Sequence, residues 1–183
     1  MIKDIEILII DDEIDICEQI SGLLNDNSYS TVSAYNSDDA LNKFKHYKPK
    51  LVILDIWLND SKLDGFKALE KIKELNQDVP IIMISGHGNI ETAVKSIKQG
   101  AFDFIEKPFD SDLLIFKVRK AIENANLRMK LKEFTKENLD FKFVYNSPST
   151  KKLNNLIEKI SKTESSILLS GPAGSGKEVV AKT

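Results

Sequence analysis

The chain has 183 residues, 42% hydrophobic and 30% charged, with 26 Lys and Arg against 28 Asp and Glu for a net charge of -2. That balance is too apolar for a disordered chain and carries no global field to draw it to nucleic acid or a membrane. One cysteine, Cys17, excludes an internal disulfide and a cysteine-built zinc cage, and no apolar run approaches the roughly 20 residues of a membrane helix.

Met1 leads through Lys3 and Asp4 straight into a strand-like run, unlike a signal peptide, so a cytoplasmic protein is expected. Ile5 to Ile10 is continuously apolar, as in a strand covered on both faces. Asp15 to Asp26 then carries Ile16, Ile20, Leu23 and Leu24 at helical spacing. Tyr29 to Ala34 is a more polar strand, and Ser37 with Asp38 and Asp39 opens a second helix. Pro49 precedes the third strand, Leu51 to Leu54, and Asp64-Gly65 begins a third helix. Pro80 introduces the strand Ile81 to Ile84, followed by a helix from Ile90 to Gln99 that Gly100 stops. Ala101 to Glu106 is the fifth strand, and a long helix runs from about Asp110 towards Leu139. Ile115, Val118, Ile122, Ala125 and Met129 follow 3-4 spacing and Leu127, Leu131 and Phe134 suggest a second stripe, as in a terminal helix whose first half docks on the sheet or in a signalling or dimerising helix.

Five strand–helix units predict an α/β fold, a doubly wound parallel sheet with helices on both faces. The pattern leaves the strand order open between two common arrangements.

Polar residues fall where such sheets place their ligand sites, at the carboxyl ends of strands. Asp11 and Asp12 follow the first strand, Asp55 the third, Ser85 the fourth and Lys107 the fifth. Singly, each has an ordinary reading: helix capping for the acids, turn chemistry for Asp55, Ser85-Gly86 and Lys107-Pro108. Together they predict one cluster. Carboxylates about 4 Å apart repel by roughly 4 kcal/mol at an effective dielectric of 20, so the cluster calls for a cation. An all-oxygen donor set suits Mg²⁺. A carboxylate beside Mg²⁺, a lysine and a hydroxyl is equipped to accept a phosphoryl group.

After Leu139 the chain changes character. Phe141 to Tyr145 is a short apolar stretch, Lys151 to Ile160 a helix and Ser166 to Ser170 a strand. That strand leads into Gly171-Pro172-Ala173-Gly174-Ser175-Gly176-Lys177, a phosphate-loop pattern of backbone amides and a lysine. Glu178 stands where the motif usually has a Mg²⁺-binding Ser or Thr. Only a few residues of the following helix are present, so this segment is expected to be an incomplete P-loop α/β unit, with ATP a ligand only of a full-length form.

Ile9-Ile10-Asp11-Asp12-Glu13, Leu54-Asp55, Ile84-Ser85-Gly86 and Lys107-Pro108-Phe109 resemble the receiver domain of two-component response regulators. Asp55-Ile56-Trp57-Leu58 with Leu63-Asp64-Gly65, and Met83 to Ala93, resemble the NtrX-type nitrogen-response regulators. The resemblance implies a flavodoxin-like receiver over residues 3–125, a linker helix over 126–142, and the truncated start of a sigma-54-interacting AAA+ ATPase domain over 143–183. It implies that Asp55 is phosphorylated by a sensor histidine kinase (NtrY-like) and that the chain regulates sigma-54-dependent transcription. It further implies that Asp12, Asp55 and the Trp57 carbonyl bind Mg²⁺, with Asp11 acting through water. Ser85 and Lys107 would hold phosphoryl oxygens across a catalytic pocket, and Lys107-Pro108 would be cis. Phe104 takes the aromatic switch position, coupled to Ser85 by packing alone, and the helix 4/strand 5/helix 5 face would form a homodimer. Sigma-54 RNA polymerase and DNA would be reached only through domains outside this chain. Glu178 matches the sigma-54 activator variant of the phosphate loop. His87, beside Ser85, is a candidate for influencing access or phosphoryl lifetime. A P-loop NTPase with a structural N-terminal module, and a flavodoxin-like cofactor binder, are the competing readings.

Overall fold

The computed structural model describes residues 5–59, 61–86, 90–139, 146–161 and 166–182. It divides into a unit ending at Arg128 and a second beginning at Met129.

The first unit alternates β1 (Ile7–Ile10), α1 (Ile14–Asp26), β2 (Thr31–Ala34), α2 (Ser37–Tyr47), β3 (Leu51–Asp55), α3 (Gly65–Leu75), β4 (Ile81–Ser85), α4 (Ile90–Lys98) and β5 (Asp103–Glu106). The helix α5 (Ser111–Leu139) starts in this unit. The strands form one parallel sheet in the order β2-β1-β3-β4-β5, the flavodoxin-like arrangement. β1, β3 and β4 are wholly buried, which explains their continuous Ile, Leu and Val runs. β2 and β5, with Thr31, Ser33, Asp103 and Glu106, take the edges.

Alternate side chains of the central strands feed two cores. Leu8, Ile10, Val52, Leu54, Ile81 and Met83 pack with Ala40 and Phe44 of α2 and Ala68, Leu69 and Ile72 of α3. Ile7, Ile9, Leu51, Ile53, Ile82 and Ile84 pack with Cys17, Ile20 and Leu24 of α1 and Leu114, Val118 and Ala121 of α5. α5 is docked through the turn holding Ile122, whereas Leu127 is exposed. α4 differs from its neighbours, since Ser96 is its one buried residue and Ile90, Val94 and Ile97 face outward. Gly100, at φ +96°, ends the turn after α4.

In the second unit, α6 spans Pro148–Ile160 and α7 spans Lys177–Lys182. α6 begins three residues before the predicted Lys151, because Ser147 and Thr150 cap it reciprocally and Pro148 enters the first turn. The predicted strand Ser166 to Ser170 is not formed. A strand needs a neighbour for its amides and carbonyls, none pairs with it among the described residues, and Leu168 is 93% exposed. Phe141 to Tyr145 and His87 lie outside the described residues, as does the Lys3 end of the predicted first domain. Among the described residues no helix is long and apolar enough to cross a membrane.

Candidate functional site

Strand register assembles the site. Ile10 pairs with Leu54, Asp55 with Ile84, and Ser85 with Glu106. Residues one step beyond β1 and β5 therefore flank the last residues of β3 and β4. The Lys107 Nζ donates to Asp11 Oδ2 at 2.7 Å and lies 3.0 Å from Asp55 Oδ1 and 3.5 Å from Glu13 Oε1. The remaining carboxylate oxygens are held by backbone: the Glu13 amide donates to Asp11 Oδ1 at 3.0 Å and the Trp57 amide to Asp55 Oδ2 at 2.6 Å. Ser85 is buried beside them, its carbonyl accepting from the Lys107 amide at 2.7 Å. The Lys107-Pro108 peptide is cis, as the resemblance implies.

Asp11 is 0% and Asp55 3% exposed, and burial of a carboxylate favours its neutral form. Burial accordingly pushes Asp55 up to about 6 despite the opposing hydrogen bond and charge of Lys107, with Asp11 adding to the rise. Asp11 is raised for the same leading reason. At Lys107 burial works against the charge, yet the bonds and charges of Asp11 and Asp55 outweigh it and raise the ammonium. Burial, followed by the Asp11 charge, pushes the Cys17 thiol up to about 11, so it sits in the core as an inert thiol.

Asp12 does not join this group. Its Oδ2 accepts from the Asn59 Nδ2 at 3.0 Å, and no three acidic, His or Cys side chains are gathered to enclose a metal among the described residues. Of the carboxylates expected together, Asp11 and Asp55 share Lys107, and Asp12 bonds to Asn59. Lys107 carries one positive charge and already satisfies Asp11 and Asp55, while Asp12 takes a neutral amide instead. The Asp11 and Asp55 carboxylates with the neighbouring Asp12 are an all-oxygen donor set, the kind a hard divalent cation such as Mg²⁺ takes while keeping waters of its own. Mg²⁺ here would be held by Asp12, Asp55 and the Trp57 carbonyl, with Asp11 acting through water.

Two supports escaped the sequence reading. An ideal Cβ on Gly65 would lie 2.1 Å from the Asp55 carbonyl oxygen and 2.7 Å from Ile56 Cα, so only glycine lets α3 start against the end of β3. Glycine as the first residue of a helix, after the Asp64 cap, was the available signal. The β3–α3 loop is also tied to α2: the Ser37 amide donates to Ser61 Oγ at 2.8 Å and the Leu63 amide to Ser37 Oγ at 3.2 Å. No local pattern joins residues 24 apart.

Phe104 is half-buried on the α2–α3 side of the sheet. Lys117 fastens its strand, donating to Asp103 Oδ1 at 2.6 Å and to the Phe104 carbonyl at 3.1 Å. In the second unit Gly174 and Gly176 have φ of +77° and +81°. Lys177 donates to the carbonyls of Gly171 and Pro172, both at 2.7 Å, and Glu178 follows in the first turn of α7. The strand–loop–helix context of a phosphate loop is therefore only half present among the described residues.

Comparison with known proteins agrees with this geometry. The family model of the response regulator receiver domain matches residues 7–119, and that of the sigma-54 interaction domain matches residues 143–183. The chain is 44% identical over 177 residues to the nitrogen assimilation regulatory protein NtrX of Azorhizobium caulinodans, covering 97% of this chain and 39% of that protein. A putative NtrX-like response regulator of Rickettsia bellii is 41% identical, with 97% and 37% covered. Among solved structures, NtrX from Brucella abortus superposes with a TM-score of 0.70 at 43% identity over 96% of this chain and 39% of that one. The receiver domain of the same NtrX gives 0.63 at 49% identity, with 64% of this chain and 98% of that one covered. The chain spans about two fifths of the length of the curated relatives it matches.

Proposed function

The chain belongs to the response regulator receiver family, and from that premise we propose that it is the phosphorylated switch of a two-component system controlling sigma-54-dependent transcription. The observation that carries this reading is the buried Asp55 carboxylate, held between the Lys107 ammonium at 3.0 Å and the Trp57 amide at 2.6 Å.

A carboxylate oxygen of Asp55 attacks the phosphorus of a phosphohistidine on a sensor kinase. The new O–P bond forms as the P–N bond breaks, and the imidazole leaves with the bonding pair. Lys107 is placed to neutralise charge on the phosphoryl oxygens in the transition state, and Ser85, on the adjacent strand, to bind one of them. Mg²⁺ supplies charge neutralisation and orientation of the phosphoryl group when bound. Water later attacks the phosphorus, releasing inorganic phosphate and restoring Asp55, so the chain aids its own phosphorylation and dephosphorylation without being an enzyme on another substrate.

Output follows from the α4–β5–α5 side. Ile90, Val94 and Ile97 form an exposed stripe at helical spacing, and Leu113 and Phe116 of α5 are exposed too. We assign this face to a homodimer whose formation follows Asp55 through Ser85 and Phe104. Residues 3–125 act as the receiver, 126–142 as linker and 143–183 as the start of an AAA+ domain. NtrX from Brucella abortus has been solved with ATP and with ADP; nucleotide binding here is assigned to the longer protein, through Gly171, Gly174, Gly176, Lys177 and Glu178. The setting is the cytoplasm.

Intact-mass measurement after treatment with acetyl phosphate and Mg²⁺ tests the central step. One phosphoryl adduct is expected on the chain and none on Asp55→Asn, whereas an adduct of equal yield on that variant defeats the reading.

A further inference from the structure

We propose that Asn59 is a positioning residue that competes with the divalent cation for Asp12 and so sets the cation affinity of the phosphorylation site. The inference deepens the reading above and rests on Mg²⁺ binding among these carboxylates.

Asp11 and Asp55 are drawn together by one ammonium. Asp12, next to Asp11 in sequence, is instead anchored to a residue 47 positions away by the Asn59 amide. A hydrogen bond to a charged acceptor is stronger than one between neutral groups, so the amide is a real competitor. For Asp12 to serve as a metal ligand, its Oδ2 must trade the Asn59 N–H for the cation, or keep both at a compromised angle. Either route makes cation binding weaker than it would be to an unclaimed carboxylate.

Asn59 can play this part because its loop is not adrift. Just beyond it, Ser61 Oγ accepts the Ser37 amide at the buried start of α2. The chain two residues beyond the donor is thereby tied to the start of α2. Asn59 is itself exposed and contributes nothing to either core, so its removal should leave the fold intact.

The experiment is a Mg²⁺ titration of the whole chain, followed by the fluorescence of Trp57. This is the sole tryptophan, 55% exposed, with its amide on Asp55. Asn59→Ala is expected to lower the Mg²⁺ Kd by about 3–10-fold, and phosphorylation by acetyl phosphate should gain at limiting Mg²⁺ but not at saturation. In an Asp12→Ala background the same substitution is expected to change the Kd by less than about twofold, because the effect runs through Asp12. An unchanged or weakened affinity in Asn59→Ala overturns the proposal, as does a gain that persists without Asp12. If the unsubstituted chain shows no saturable Mg²⁺ response by fluorescence or calorimetry, the metal reading itself fails and takes this inference with it; binding without the Asn59 effect removes the inference alone.

Discussion

The two units of the chain each present a sequence motif for phosphate chemistry, and the fold treats them in opposite ways. In the first, Asp55 and Ser85 end paired strands, Lys107 follows directly after another, and the carboxylates are buried and fully bonded. In the second, the Gly171 to Lys177 loop enters a helix, but the five residues before it form no strand and Leu168 is 93% exposed. The contrast teaches that spacing names a chemistry, while paired strands are what concentrate charge enough to perform it.

If paired strands hold strained electrostatics in the first unit, removing the Lys107 ammonium that joins Asp11 and Asp55 should be the largest disturbance. Lys107→Met leaves two buried carboxylates unpaired and is expected to cost about 3–5 kcal/mol in urea unfolding, and adding Asp55→Asn should return part of it. The acids themselves come next. Asp55 ionises near 3.8 in an unfolded chain and near 6 in the fold, so it favours the folded state below pH 4 and that contribution is lost as pH rises through 6. Without Mg²⁺, Asp55→Asn should thus match the parent near pH 4 and exceed it by about 3 kcal/mol above pH 7, a difference that added Mg²⁺ narrows. Equal unfolding curves at pH 7.5 would break the account of burial.

A steric test follows. Gly65→Ala must move either α3 or the Asp55 backbone and is expected to cost about 1–3 kcal/mol, with phosphorylation slowed even where folding is complete. The smallest effect belongs to the second unit. Ser147→Ala removes a cap worth about 1 kcal/mol and should lower the helical circular dichroism of α6 without altering acetyl phosphate reactivity. A change in that reactivity would mean the two units are not chemically separate.

Much of this was legible in the residues. The buried strands announced themselves by unbroken Ile, Leu and Val, and Asp11, Asp55, Ser85 and Lys107 by their places at strand ends. Periodicity did not say which face α4 would bury: Ile90, Val94 and Ile97 are exposed, and hydrophobic spacing cannot tell a core from an interface. Composition misled at Ser166 to Ser170, where β-propensity stands in for pairing that must come from elsewhere. Asp12 was expected beside Asp11 from its place at the end of the first strand, and its partner Asn59 is reached only through the three-dimensional path of the β3–α3 loop. Gly65 was read as a helix start when its decisive property is the 2.1 Å approach a methyl would make.

The most direct measurement is to trap the phosphoryl adduct chemically. After acetyl phosphate and Mg²⁺, borohydride reduces an aspartyl phosphate to homoserine, and peptide mass spectrometry locates it. Homoserine at position 55 alone, and none in Asp55→Asn, is the predicted result; homoserine elsewhere, or none from a chain shown to carry phosphate, would contradict the account.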